Sequence, residues 1–262
     1  KAYMLAKDYH PGMPFPKSAT GPPPPIGWYW SEKFDGYRAQ WMDDDQEFYS
    51  RAMKLFISPD WFKHAMPPKV RIDGELWVGR ENFEHMGVVR RKEPEDEDWI
   101  PVKFMAYDLP GVDKPFSERI KILKKVVKDN ETRWKIIRKK FPEPFNELEC
   151  PLVFAPQTKI KSEEQMMEAY EKVTQKGGEG IMIKQAESAY CDGRSSLMLK
   201  LKPSFDEEGV IVDYTKGKGK YLGLLGGFVC QPLKNMDTYH VIDQDKNHEY
   251  TVSGMDDAVR EN

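Results

Sequence analysis

Apolar residues fall into short runs broken by glycine, proline and charge, and helical periodicity surfaces in only a few places. Trp28-Tyr29-Trp30 has the aromatic make-up of a strand and runs toward a glycine turn at Gly36. Tyr37 to Met42 predicts a second strand, and Gln46 to Tyr49 a partner for it beyond the acidic turn Asp43-Asp44-Asp45. Val70 to Val78 and Val102 to Leu109 predict buried strands. Ser58-Pro59 predicts an N-cap with proline at the first helical position, opening a short helix through Trp61, Phe62 and Ala65. Ser117 predicts the start of a helix with Ile120, Leu123 and Val127 on one face, and a further helical stretch carries Trp134 and Ile137. Ser162-Glu163-Glu164-Gln165 predicts a capping box for a helix ending near Gly177. Gly180 to Lys184 and Leu197 to Lys202 read as strands, the latter with Lys200 and Lys202 on one face and Leu201 on the other. The N-terminal stretch through Pro22-Pro23-Pro24-Pro25 predicts extended loop. Beyond Pro203 come Val210 to Tyr214, Gly227 to Cys230 and Tyr239 to Ile242, which predict a small all-β domain.

Composition adds bounds. A chain of 262 residues has room for two modest domains with cores of their own. Charged residues make up 32% of it, and no apolar run approaches the length needed to span a bilayer. No cleavable signal is visible, and a first residue of Lys rather than Met points to omitted N-terminal sequence. Cys150, Cys191 and Cys230 lie far apart without metal-ligand spacing, which predicts reduced, buried thiols in an intracellular protein. A net charge of −3 does not advertise a nucleic-acid binder. Charge is nevertheless segregated, with Arg90-Arg91-Lys92 and Lys216, Lys218 and Lys220 set against Asp43-Asp44-Asp45 and Glu93 to Asp98. Local fields govern affinity for phosphate, so a basic face on an acidic chain is permitted.

Candidate chemistry begins at Lys33-Phe34-Asp35-Gly36. A lysine becomes a covalent nucleophile when it sheds its proton and a neighbour fixes its amine, and a tight turn beside a carboxylate supplies that geometry. Alone, the pattern K-x-D-G arises by chance in roughly one chain in twenty of this length. More weight lies in the order of the succeeding motifs: Arg38, Ser50-Arg51, Asp73-Gly74-Glu75-Leu76, Tyr107-Asp108, Glu179 to Lys184, and Lys200-Leu201-Lys202. This series resembles the ATP-dependent DNA ligases, in the covalent nucleotidyltransferase superfamily that also holds RNA ligases and mRNA capping enzymes. It spans nearly the whole chain and has the character of the minimal viral, phage or bacterial type.

The resemblance implies an α+β fold. A nucleotidyltransferase (ATP-grasp-like) domain of antiparallel sheets with flanking helices would occupy residues 1–203, and a small OB-fold β-barrel, incomplete at its C-terminus, residues 204–262. It implies that Lys33 takes AMP from ATP, that Asp35 orients the amine or a metal-bound water, and that Arg38 touches the ribose and the nick phosphate. Glu75 and Glu179 become the magnesium (or manganese) carboxylates, Glu75 alternatively holding the ribose hydroxyls. Tyr107 becomes the aromatic under adenine, with Phe104 the lesser candidate, and Met182 the cover for the other base face. Lys184, Lys200 and Lys202 supply charge to the triphosphate, Arg51 and Arg194 engage the nick phosphate, and Lys218 and Lys220 lie in a glycine-rich strand opening of the OB domain, on its DNA-binding side. No long hairpin insert fits between Lys220 and Gly226. Two departures stand out: Ser31 occupies the position where many members carry an acid, with Glu32 beside it, and Val252 to Asn262 lacks the family's basic final motif. The implied partner is nicked duplex DNA, clamped by a monomer away from any membrane, in a bacterial cytoplasm or at a viral replication site. An RNA ligase or capping guanylyltransferase is the nearest alternative, and a non-catalytic OB-type DNA-binding module the remote one.

Overall fold

The turn that carries Lys33 joins two strands belonging to different sheets, and that crossover organises the first part of the molecule. The structure is a computed structural model that describes residues 3–16, 23–203, 209–235, 240–241 and 250–253. Along the chain run β1 (Met4–Asp8), β2 (Tyr29–Glu32), β3 (Tyr37–Met42), β4 (Glu47–Ser50), β5 (Leu55–Phe56) and α1 (Asp60–His64). Then come β6 (Ile72–Trp77), β7 (Lys103–Asp108), α2 (Phe116–Ile137), β8 (Leu152–Phe154), β9 (Thr158–Lys159) and α3 (Glu163–Gln175). The series closes with β10 (Ile181–Lys184), β11 (Gly193–Leu201), β12 (Gly209–Lys216), β13 (Leu225–Asn235), β14 (His240–Val241) and β15 (Tyr250–Val252). The chain divides into two compact units, Lys1–Pro203 and Ser204–Asn262.

In the first unit one sheet has the order β1-β11-β10-β2-β9 and the other β5-β4-β3-β6-β7-β8. Each has its own core. Trp28, Met166, Ile181, Ile183 and Leu199 pack the first sheet against α3, whereas Trp41, Phe48, Phe62, Phe104, Leu123 and Trp134 fill the space between the second sheet and its helices. The mixed α+β class holds, but neither sheet is purely antiparallel. β1 runs parallel to β11, and β8 runs parallel to β7 because α2 returns the chain between them.

Several expectations need correction. The N-terminal stretch is not all loop, since Tyr3 and Met4 are buried and β1 satisfies its backbone against β11; residues 17–22 lie outside the described residues. Ser58 does not cap α1. Pro59 holds the extended cap geometry (φ −61°, ψ 150°), and the buried Ser58 hydroxyl has no hydrogen-bond partner among the described residues. The two helical stretches after Ser117 are one 22-residue helix, because Asn130 sits in the buried stripe and hides its side-chain amide by donating to the Ala65 carbonyl at 2.7 Å. Ser162 caps α3 by accepting from the Gln165 amide, while the Gln165 side chain accepts from the Lys161 amide rather than closing the box on Ser162. β11 stops at Leu201, which leaves Lys202 exposed beyond it rather than paired with Lys200 on one strand face. Of the three thiols Cys150 and Cys230 are buried, but Cys191 is exposed.

In the second unit β12 pairs antiparallel with β13, which pairs antiparallel with both β14 and β15. Among the described residues no pairing closes these strands into a barrel. Gly217 to Lys220 forms no opening strand: β12 has ended at Lys216, and a 3-10 turn covers Gly219–Tyr221. Of the expected strand Tyr239 to Ile242, the end residues lie outside the described residues, as does most of Val252 to Asn262.

Candidate active site

Close packing fixes the lysine turn on both sides. Phe34, only 6% exposed, sits against Trp77 with ring centroids 4.9 Å apart, alongside Met105 and Ala155. A Cβ on Gly36 would fall 2.1 Å from the Leu76 carbonyl oxygen, so only glycine lets the turn lie this close to β6. The Lys33 amide donates to the Gly180 carbonyl at 2.8 Å, continuing the β2–β10 ladder past its end. Gly180 has φ +152°, and a Cβ there would meet the Leu201 carbonyl at 2.2 Å. These contacts leave the Lys33 ammonium half-buried, where it donates to Glu179 Oε1 at 2.7 Å.

Beside Lys33 a cavity of about 240 Å³ opens between the two sheets. β2, β10 and β11 supply Ser31, Glu32, Met182, Lys184, Lys200 and Arg194, and the opposite sheet supplies Arg38, Glu75 and Tyr107. Arg51 lines its edge. Glu32 does not stand free: Arg80 grips it bidentately at 2.8 and 2.9 Å. The Tyr107 hydroxyl donates to Glu75 Oε2 at 3.2 Å. Burial pushes the Glu75 carboxyl up to about 8, against the pull of Arg38 and Lys33. Asp35 is exposed and absent from the lining; partial desolvation and the neighbouring Glu179 charge push its carboxyl up, against Lys33.

Two polar clamps cross from one sheet to the other at this cavity. In the first, Asp108 on β7 accepts from Lys184 on β10, from Arg119 Nε and Nη2 at 2.7 and 3.2 Å, and from the Leu109 amide at 2.7 Å. Arg119, itself fully buried, also donates to the Lys114 and Ser188 carbonyls at 2.6 and 2.7 Å. Burial alone would raise the Asp108 carboxyl, but Lys184 and Arg119 hold it below its ordinary value. In the second clamp Asp73 on β6 pairs with Arg38 through two hydrogen bonds, at 3.1 and 2.7 Å. The Tyr190 hydroxyl donates to the same carboxylate at 2.7 Å and accepts from the Met4 amide and Gln40 Nε2. Arg38 lies over the Tyr3 ring and near the Tyr107 ring, at 4.8 and 5.8 Å from their centroids.

The structure thus gathers Lys33, Arg38, Arg51, Glu75, Tyr107, Met182, Lys184, Arg194 and Lys200 around one cavity. Glu179 reaches it through Lys33. Two of these cations are tied to buried carboxylates: Arg38 to Asp73 and Lys184 to Asp108. Lys200 has its ammonium 3.3 Å from Asp8. Lys202 is exposed and does not line the cavity, and Phe104 is locked in the core against Phe48 at 5.0 Å. Lys218 and Lys220 are exposed in the second unit, Lys220 over the Tyr221 ring at 4.4 Å. Sequence reasoning named Asp73 and Asp108 only as members of motifs, with no role of their own, did not see the anchoring role of Phe34, and missed Arg119 and Tyr190 altogether. Among the described residues no cluster of three or more His, Cys, Asp or Glu could hold a metal by itself, and no helix is long and apolar enough to cross a membrane.

Comparison with known proteins agrees with this geometry. A DNA ligase of Haemophilus influenzae is 27% identical over 205 residues, covering 78% of this chain and 69% of that protein. A DNA ligase of Thermococcus onnurineus is 30% identical over 221 residues, covering 75% of this chain but only 36% of the longer archaeal one. A solved structure described as DNA binding with a minimal scaffold, of the Lig E DNA ligases, superimposes with a TM-score of 0.71 at 26% identity, covering all of this chain and 87% of that one. The family described as the ATP dependent DNA ligase domain matches residues 22–202, which takes in the Lys33 turn and every lining residue from Ser31 to Lys200. The chain belongs to the ATP-dependent DNA ligase domain family.

Proposed function

We propose that this chain seals breaks between a 5′-phosphate and a 3′-hydroxyl in duplex DNA at the expense of ATP, with Lys33 as the covalent nucleophile. The observation that carries the reading is the Lys33 amine at the edge of a cavity with an aromatic and a half-buried carboxylate on one wall and a lysine on the other. In the first step the Lys33 Nζ lone pair attacks the α-phosphorus of ATP. An N–P bond forms, the P–O bond to pyrophosphate breaks, and two protons leave the nitrogen for solvent, one from the ammonium before attack and one as the phosphoramidate forms. An oxygen of the 5′-phosphate at the nick then attacks that phosphorus, breaks the N–P bond and, with a proton taken up by the nitrogen from solvent, returns the amine to Lys33. Finally the 3′-hydroxyl oxygen attacks the DNA phosphorus and expels AMP, closing the strand and releasing a proton.

The residues divide this work. Glu179 holds the Lys33 ammonium in place until the proton leaves. Tyr107 and Met182 offer an aromatic and an apolar face to a base, Lys200 sets charge against phosphate oxygens, and Arg51 and Arg194 at the rim take the nick phosphate. Asp73 and Asp108 hold Arg38 and Lys184, which makes these two cations orienting groups first. Glu75, a half-buried carboxylate that desolvation pushes up to about 8, is a group that a cation would claim from its proton, and magnesium needs only one or two such ligands besides phosphate and water. Bound there with Glu179, magnesium would neutralise charge on the triphosphate. The second unit serves as the OB-type clamp on the duplex, through Lys218 and Lys220.

Sealing of a 5′-phosphorylated nick with ATP and magnesium, read on a denaturing gel, tests the whole reading. Label from α-labelled ATP, but not GTP, should appear on Lys33. A GTP adduct would move the chain to the capping reaction, and sealing of nicked RNA but not DNA would make it an RNA ligase.

A further inference from the structure

A second groove, of about 720 Å³, is lined by the stretch from Ser50 at the end of β4 through β5 to Ile57 and by Val89 to Lys92 at the end of the 3-10 turn Phe83–Arg90. Its charged lining is wholly cationic: Arg38, Arg51, Lys54, Arg90, Arg91 and Lys92, with no carboxylate among the lining residues. That is a marked local excess on a chain of net charge −3. Arg38 is tied to Asp73 and Arg91 to Asp98 at 2.7 Å. Arg51, Lys54, Arg90 and Lys92 are exposed and have no ion-pair partner among the described residues; Arg90 instead has its guanidinium carbon over the Tyr37 ring, 4.4 Å from the centroid. The ring contact holds that guanidinium without neutralising it, so it stays available to an anion. The groove floor is apolar, with Phe56 and Val89 buried beneath the charges.

This groove is continuous with the Lys33 cavity, because Arg38 and Arg51 line both. We propose that it is a track for the sugar–phosphate backbone flanking the reacting phosphate, with Lys54, Arg90 and Lys92 as its backbone contacts; this rests on the nick-sealing reading of the Lys33 cavity. Regularly spaced anions on a flexible strand fit a row of uncompensated cations leading away from the reacting centre, and no base-reading group is needed. An acidic protein segment would satisfy the charges equally, but the junction with the Lys33 cavity at Arg51 favours a strand whose phosphates run on into it.

The test combines Lys54→Gln, Arg90→Gln and Lys92→Gln in the full chain and measures affinity for a nicked duplex from about 50 to about 200 mM salt. Each phosphate neutralised contributes about 0.9 to the slope of log affinity against log salt. Loss of three contacts therefore lowers the slope by up to about 2.7, so the wild-type fall in affinity over that range shrinks by about 40-fold. The loss should be alike for any base sequence, and each single variant should lower the slope by about one. An unchanged slope in the triple variant overturns the proposal. So does a triple variant that loses binding to polyglutamate but keeps its grip on the nick, since the groove would then serve an acidic protein. Labelling of Lys33 from ATP is followed in parallel. If the wild-type takes no label, the sealing reading has failed, and the groove is judged by the same slopes on unnicked duplex.

Discussion

Asp108→Asn is the sharpest test of how the site is built. Asp108 is fully buried and accepts hydrogen bonds from Arg119, Lys184 and the Leu109 amide. Asparagine keeps one carbonyl oxygen, enough for the Leu109 amide and one guanidinium N–H, but turns an N–H donor toward a second donor. Removing one partner of a buried ion pair costs about 3–5 kcal/mol, mostly the penalty of the stranded charge. Lys184 can limit the loss by giving up its proton, whereas Arg119 cannot. Arg119 keeps its bonds to Lys114 and Ser188, so the expected cost is at the lower end, about 3 kcal/mol. Urea unfolding followed by tryptophan fluorescence reads this directly, because Trp61, Trp99 and Trp134 lie in the core beside the clamp's sheet. At a typical slope the midpoint should drop by about 1 M or more. Adding Lys184→Met should restore part of it by removing the second stranded charge. Acid supplies a sign. The Asp108 carboxyl is depressed in the folded state, so its contribution is present above the ordinary value of 3.8 and lost as pH falls through the folded one. The gap between wild-type and Asp108→Asn should therefore close in strong acid. A loss below about 1 kcal/mol at neutral pH, or a gap that widens with acid, would refute the clamp.

Lys33→Ala and Lys33→Arg should both abolish label transfer from ATP with the fold intact by circular dichroism, since arginine stays protonated; adenylylation of either variant would move the nucleophile elsewhere. Glu75 is raised from 4.5 to about 8, so its neutral form favours the folded state, a contribution full below about 4.5 and lost as pH rises through 8. Urea midpoints on either side of that range, in mild acid and in mild base, should thus show wild-type losing ground to Glu75→Gln with rising pH, and a pH-independent difference would contradict the burial argument. Glu75→Ala and Glu179→Ala should depress sealing far more than nick binding, and wild-type sealing rates at limiting magnesium in both would remove the carboxylates from the chemistry. Gly36→Ala must push its Cβ against the Leu76 carbonyl, so about 1–3 kcal/mol of stability should go along with labelling efficiency, and an unchanged melting temperature would show that the turn yields freely.

Strands such as Tyr37–Met42 were legible because their alternation and aromatic content are local properties of the chain. The order of short polar motifs likewise pointed to most of the residues that the cavity gathers. Features that stayed hidden depend on pairing over long sequence distances. β1 finds β11 nearly two hundred positions away, across proline-dense sequence that argues for loop. Asn130 breaks an apolar stripe because its amide is satisfied by Ala65, a partner no local window contains. The same holds for Arg38 and Lys184, whose sequence positions invite a phosphate but whose side chains meet buried carboxylates first. Charge alone could not separate a cation that holds the site together from one that receives a ligand.

The two clamps also act as a spacer gauge. Asp108 with Lys184 joins the two sheets directly, and Asp73 reaches the first sheet through Tyr190, in the loop after β10, whose hydroxyl accepts from Met4 on β1, so the gap between the Tyr107 and Met182 walls is set before anything enters it. A flat ring that matches the gap loses little ordering entropy on entry, while a thicker one must stretch charged contacts in a dry interior. Under the proposed role of the cavity, the gap would select flat aromatic rings against puckered or saturated ones, and only edge hydrogen bonds would separate one nucleobase from another. A change that loosens one clamp without melting the sheets, such as Asp108→Asn, should blur the first kind of selection and spare the second.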